Sequence, residues 1–216
     1  MDRNMQGFGT MIKKLKKNPR RIVFTEGTDA RILEAASRLL ASYFLTPILV
    51  GNKTEVEDAA EEHGYNIRGA EIIDPDNFES IEEMAELLCE LRKSKNLQMD
   101  EAYKILRQGN YFGTMLVKMG YADCLLGGAT YTTADTVRPA LQLIKTRPGK
   151  NIVSSCFIMV RPSATGENEV LAMADCSINI KPNEDELVDI ALGAADCSML
   201  FGIEPKIAFL SYSTLG

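Results

Sequence analysis

The 216-residue sequence has a single histidine, His63. A Ser-His-Asp triad or a His-based metal site therefore has little to stand on. His63 sits in Glu-Glu-His-Gly-Tyr, where a helix C-terminus capped by a left-handed Gly64 accounts for it. The cysteines Cys89, Cys124, Cys156, Cys176 and Cys197 are odd in number, widely spaced and form no CxxC pair. That argues against a disulfide framework or a zinc site and suits a reducing cytoplasm. No window reaches the roughly 18 consecutive apolar residues of a membrane span, and the first residues lack the apolar run of a secretory signal. Basic residues are outnumbered, with Lys+Arg 24 against Asp+Glu 30 and a formal net charge of -6. A nucleic-acid partner is disfavoured, because phosphate contact needs a basic face, while a local pocket for an anion remains open. There is no GxxxxGK[ST], and the GxG near the start, Gly7-Phe-Gly9, precedes the first strand and has Ile12 at the third glycine position. The dinucleotide fingerprint fails, which weakens a dehydrogenase reading.

What is present is an ordinary globular composition, 45% hydrophobic and 25% charged, with apolar residues spread along the whole chain. Helical spacing predicts a first helix over 5–17 and a second whose apolar face is Ile32, Leu33, Ala36, Leu39 and Leu40, capped by Thr28 or Asp29. Short apolar runs at 21–25, 47–50, 70–73 and 122–126 read as strands, alternating with helices at 54–63, 81–93, 100–107, 111–118 and 135–144. The alternation predicts an α/β fold: a parallel sheet in three layers, with helices on both faces. Arg147-Pro148-Gly149-Lys150-Asn151 is the best linker candidate. Beyond it the texture changes to two strands near 152–160 and 170–173, a helix over 184–200 and a strand over 206–210. The reading is a first α/β domain over 1–148 and the start of a second, mixed α/β domain over 149–216.

The most informative stretch is GGATYTTADTVRP, residues 127–139. It follows a strand and opens a helix, with Asp135 or Thr136 as N-cap and Pro139 in the first turn. Gly127 and Gly128 let backbone approach a ligand, and Thr130, Thr132, Thr133 and Thr136 offer hydroxyls. Arg138 adds a fork matched to phosphate or carboxylate oxygens, and together these make an anion site. The plain alternative is a capped helix with a solvated arginine. Three further segments carry polar groups. Glu90-Leu-Arg92-Lys-Ser-Lys95 ends a helix, where basic residues also suit the dipole alone. Thr25-Glu-Gly-Thr-Asp-Ala-Arg31 follows the first strand, at a carboxyl end where open α/β sheets place ligands. Ser211-Tyr-Ser-Thr214 is hydroxyl-rich and follows the last apolar run.

These segments together resemble the phosphate acetyltransferase (phosphotransacetylase) family. The matching pieces are RIVFTEGTDARILEA (21–35), ILVGN (48–52), ELRKSK (90–95), GGATYTTADTVRPALQLIKT (127–146) and IAFLSYST (207–214). The resemblance runs from near residue 5 to the end, and the 127–142 segment is specific to this family and to phosphate butyryltransferase. It implies reversible acetyl transfer between coenzyme A and inorganic phosphate, by direct attack of the CoA thiolate on acetyl phosphate in a ternary complex. By position, Arg92 and Arg138 match family arginines that bind CoA or phosphate and support activity. Thr130, Thr132 and Thr133 match a hydroxyl run beside that site, and Ser211, Ser213 and Thr214 match a loop of the second domain. The resemblance further implies CoA and acetyl-CoA as substrates rather than a bound cofactor, no metal, and a homodimer. Family members are longer: a C-terminal Ser-Arg pair and an Asp, assigned to acetyl phosphate binding and thiol activation, have no counterpart here. The rival expectation is a non-catalytic fragment that still binds CoA or phosphate or dimerises.

Overall fold

The computed structural model describes residues 6–162 and 168–210. They fall into two compact units, one of Lys14–Lys145 and one of Met1–Lys13 with Thr146–Gly216. Helix α1 (Gln6–Lys17) runs across the division.

The larger unit is built on four parallel strands, β1 (Arg20–Phe24), β2 (Leu45–Val50), β3 (Glu71–Ile73) and β4 (Cys124–Leu126), in the order β3-β2-β1-β4. Successive strand residues point to opposite faces, and the pairing register sorts them. Val23 lies beside Ile48, and Phe24 beside Leu49. Phe24 and Leu49 pack with Ile32, Leu33 and Ala36 of α2 (Ala30–Ser42) and with Val56 and Ala60 of α3 (Lys53–Glu62). Val23 and Ile48 pack on the other side with Met84 and Leu88 of α4 (Ile81–Leu91), Leu106 of α5 (Met99–Leu106) and Phe112 and Met115 of α6 (Gly109–Lys118). Both faces of the sheet are thus covered, and the three-layer α/β architecture is present as predicted.

Helix ends follow the local chemistry. Asp29 caps α2 by accepting from the Arg31 N–H at 2.9 Å. Helix α3 ends at His63, with Gly64 at φ +71°. The Gly64 N–H bonds Glu61 and the Tyr65 N–H bonds Ala60, a Schellman closure in which glycine takes the left-handed position at no steric cost. His63 is therefore the helix end its sequence predicts.

Helix α7 (Thr133–Pro139) departs from expectation at both ends. Its N-cap is Thr132, not Asp135 or Thr136: the Thr132 hydroxyl accepts from the Asp135 N–H at 3.2 Å and donates to the Asp135 carboxylate at 2.7 Å. Four cap-competent residues, Thr132, Thr133, Asp135 and Thr136, lie within five positions, and the earliest wins. Pro139 therefore stands at the last position of the helix rather than in its first turn. It has no N–H for the Asp135 carbonyl four residues back. The buried Asn110 supplies the missing donor, with Nδ2 at 2.8 Å from that carbonyl. The chain then passes into a π-helical turn, Ala140–Ile144, whose Leu143 is fully buried. Prolines and π-turns are each recognised causes of a helix kink, and here the two adjoin.

In the smaller unit β5 (Phe157–Pro162) and β6 (Asn168–Met173) pair antiparallel, the hairpin the texture predicts. Helix α8 (Glu184–Leu200) begins with a capping box in which Asn183 and Glu186 exchange bonds at 2.9 and 2.8 Å. The Asp175 carboxylate accepts from the Ser155 hydroxyl, the Ser177 and Ile178 N–H groups and the Asn179 amide. The strand predicted over 206–210 does not form among the described residues. The run is apolar but finds no neighbouring ladder there, and Phe209 and Leu210 are exposed.

Candidate functional site

Strand order reverses between β1 and β4, because β2 and β3 follow on one side of β1 and β4 lies on the other. In open α/β sheets the crevice outside the carboxyl ends at such a switch point receives the ligand. Two loops meet there, Thr25–Asp29 after β1 and residues 127–132 after β4.

Crowding shows how closely they meet. A Cβ added at Gly109 would stand 2.5 Å from the Thr25 carbonyl oxygen, one at Gly113 2.8 Å from the Thr25 methyl, and one at Gly127 2.6 Å from the Thr25 hydroxyl. Glycines of α6 and of the β4 loop therefore enclose Thr25, which is buried with its neighbour Glu26. The Glu26 carboxylate receives the Gly128 N–H at 3.1 Å, the Thr130 N–H at 2.6 Å and the Thr130 hydroxyl at 3.0 Å. The Thr25 hydroxyl adds a bond at 3.1 Å, and the Tyr131 N–H a longer one at 3.4 Å. Burial acts to raise the Glu26 pKa, but the bonds from Thr130, Thr25 and Gly128 outweigh it and hold the carboxyl below its usual value. Burial, and then the Glu26 charge, push the Tyr131 phenol up. Arg31 completes the junction. Its guanidinium forks onto Asp29 at 2.9 and 2.7 Å and also donates to the Ala129 carbonyl at 2.6 Å. The Asp29 carboxyl is held low chiefly by that Arg31 fork.

The predicted site residues are placed unequally. Thr130 faces inward onto Glu26. Thr132 is the cap of α7, and the Thr133 hydroxyl makes no hydrogen bond among the described residues. Arg138 is 57% exposed in its side chain and paired with Asp135 only at 3.6 Å. Its fork is open to solvent. Arg92 ends α4 and runs into the 3-10 turn Lys93–Lys95, and none of these cations forms an ion pair among the described residues. Ser211, Ser213 and Thr214 lie outside the described residues. Sequence reasoning singled out the loop after β1 without seeing Glu26 or Arg31 as its working parts. The signal was a run of backbone donors at 127–131 needing an acceptor, but the acceptor is about a hundred residues away and only the strand order brings it near.

Residues 8–216 match the family model described as phosphate acetyl/butaryl transferase. The chain is 44% identical over 209 residues to a phosphate acetyltransferase of Bacillus subtilis (strain 168) and 44% identical to one of Thermoanaerobacterium thermosaccharolyticum. It covers 97% and 96% of itself in these matches. This chain belongs to the phosphate acetyl/butaryl transferase family. It spans 63% of the length of each of those two relatives. Solved structures of the family agree in fold. A phosphotransacetylase from Streptococcus pyogenes superposes with a TM-score of 0.89 at 42% identity, covering 100% of this chain and 64% of that one. The EutD phosphotransacetylase from Staphylococcus aureus gives 0.85 at 38% identity, covering 97% and 62%. Among the described residues of this family member, no helix is long and apolar enough to cross a membrane.

Proposed function

We propose that the protein transfers an acetyl group reversibly between coenzyme A and inorganic phosphate. The observation that carries this reading is the family match over residues 8–216, with relatives named phosphate acetyltransferase at 44% identity. In the direction of acetyl-CoA synthesis, the CoA thiolate attacks the carbonyl carbon of acetyl phosphate within a ternary complex. The bond from that carbon to the phosphate oxygen then breaks, and phosphate leaves. CoA and acetyl-CoA are substrates of this reaction, not resident cofactors.

Arg138 and Arg92 hold the anionic groups, and Arg138 faces the oxyanion that develops on the carbonyl. The exposed fork of Arg138 and its slack contact with Asp135 support this role, since a guanidinium already satisfied could not accept a phosphate. Thr133 offers an unengaged hydroxyl at the start of α7, while Thr132, bonded to Asp135, and Thr130, bonded to Glu26, contribute by shaping the loop. This reading also assigns Ser211, Ser213 and Thr214, which lie outside the described residues, as substrate-binding groups. The same reading includes a homodimer in the cytoplasm, and the free state of all five cysteines agrees with a reducing compartment. Butyryl transfer is the second reading, because the matching family model takes in both acyl groups.

The test is formation of acyl-CoA from CoA and either acetyl phosphate or butyryl phosphate. Acetyl-CoA is the expected product, and preferential butyryl-CoA formation would select the second reading. CoA binding without turnover would mark a binding protein instead. Arg138→Ala should weaken CoA or phosphate binding by about 1.5–3 kcal/mol, roughly 10- to 100-fold, with Arg138→Lys in between. Equal affinities for all three proteins would remove Arg138 from the site.

A further inference from the structure

The backbone donors of the loop after β4 are spent on a side chain of the same protein. Glu26 is 8% exposed, and its carboxylate collects the N–H groups of Gly128 and Thr130 and two threonine hydroxyls. No ion pair within 4 Å reaches it among the described residues: every group that bonds the carboxylate is neutral, and the Arg31 charge acts on it only from farther away. A buried carboxylate without donors costs several kcal/mol, and converging N–H groups without an acceptor are equally orphaned. Each is the other's solution. Converging backbone N–H groups of a glycine-containing loop form an anion nest. This nest stands at the switch point, where a doubly wound sheet receives its ligand. The enclosing glycines leave no side-chain volume around Thr25, which fixes the start of the carboxylate's approach.

We propose that Glu26 is a positioning residue whose carboxylate is the built-in anion of the switch-point nest: loop 127–132 folds around it, phosphate is kept out of the nest, and an anionic substrate is directed to the exposed Arg138. The last of these consequences rests on the transferase reading; the first two do not.

Amide hydrogen exchange on the full chain tests the nest without a substrate. In Glu26→Ala the amides of Gly128 and Thr130 should exchange about tenfold faster or more, as expected when a charge-assisted bond is lost. Added formate should restore their protection in that variant and leave the wild type unchanged. Inorganic phosphate should likewise protect them only in the variant. Glu26→Gln keeps the volume but turns an amide N–H₂ toward a backbone donor. It should exchange faster than wild type and not respond to formate, because the nest is filled. Unchanged exchange in a folded Glu26→Ala protein, no rescue by formate, or wild-type protection in Glu26→Gln would each overturn the proposal. If Glu26→Ala does not fold, the Glu26→Gln comparison decides. Calorimetric CoA affinity is the second readout: it should fall in Glu26→Ala and recover with formate. A wild type that binds no CoA would sink the transferase reading, and the exchange result would still decide this one.

Discussion

At the scale of single residues, Glu26 ties stability to pH. Its carboxyl is held below the ordinary value of 4.5, because the hydrogen bonds to the ionised form outweigh the burial that opposes them. A group with a depressed folded pKa contributes its full stabilisation above the unfolded value. It loses that contribution as pH falls through the folded value. The wild type should therefore exceed Glu26→Gln in unfolding free energy at neutral pH, and the gap should close at pH steps below 4.5. Denaturant titrations of both proteins across that range measure it. A gap that widens in acid would mean the carboxylate is not favoured in the folded state. Asp175 follows the same sign. Burial is outweighed by bonds from Ser155, Ile178, Ser177 and Asn179, and its pKa is driven far below the ordinary 3.8.

At the scale of elements, α7 and α6 depend on one exchanged bond. Pro139 frees the Asp135 carbonyl, and Asn110 from α6 occupies it. Asn110→Ala should cost about 1–3 kcal/mol, the penalty for a carbonyl left unpaired in a part-buried setting. Pro139→Ala restores an N–H four residues after Asp135, so it should recover part of that loss in the Asn110→Ala background and gain little in the wild type. A double-mutant cycle of unfolding free energies checks this, and strict additivity would break the link. The case also shows what the sequence could and could not reveal. The end of α3 was legible, because His63-Gly64 carries its own closure. Strands β1, β2 and β3 were legible, because buried parallel strands leave apolar runs such as Ile48-Leu49-Val50. The start of α7 was not, because Thr132, Thr133, Asp135 and Thr136 can all cap, and a misplaced cap moved Pro139 to the wrong end. Residues 206–210 have the pattern of a strand, but pattern does not supply a partner. Glu26 was hidden for the same reason: its partners at 128 and 130 come near only through the order β3-β2-β1-β4.

At the scale of the molecule, the two units differ in how much core each owns. Lys14–Lys145 buries residues on both faces of its sheet, among them Val23, Phe24, Leu33, Ile48, Leu49, Met84, Leu88, Phe112 and Met115. Each such side chain contributes about 1.5–3 kcal/mol by leaving water. In Thr146–Gly216 the described residues include only Ile190 and Ser198 in the buried class, while Phe157, Val188, Phe209 and Leu210 are more than half exposed. A segment of that size buries too little surface to offset its conformational entropy. The hairpin and the capping box of α8 set local geometry without supplying a core. Expressed separately, residues 14–145 should therefore unfold in one cooperative thermal transition. Residues 146–216 should show a shallow, non-cooperative melt and bind a hydrophobic dye before heating. Calorimetry and dye fluorescence on the two pieces make the comparison. A sharp, high-temperature transition from the smaller piece would show that its stability comes from a source other than the burial of apolar side chains.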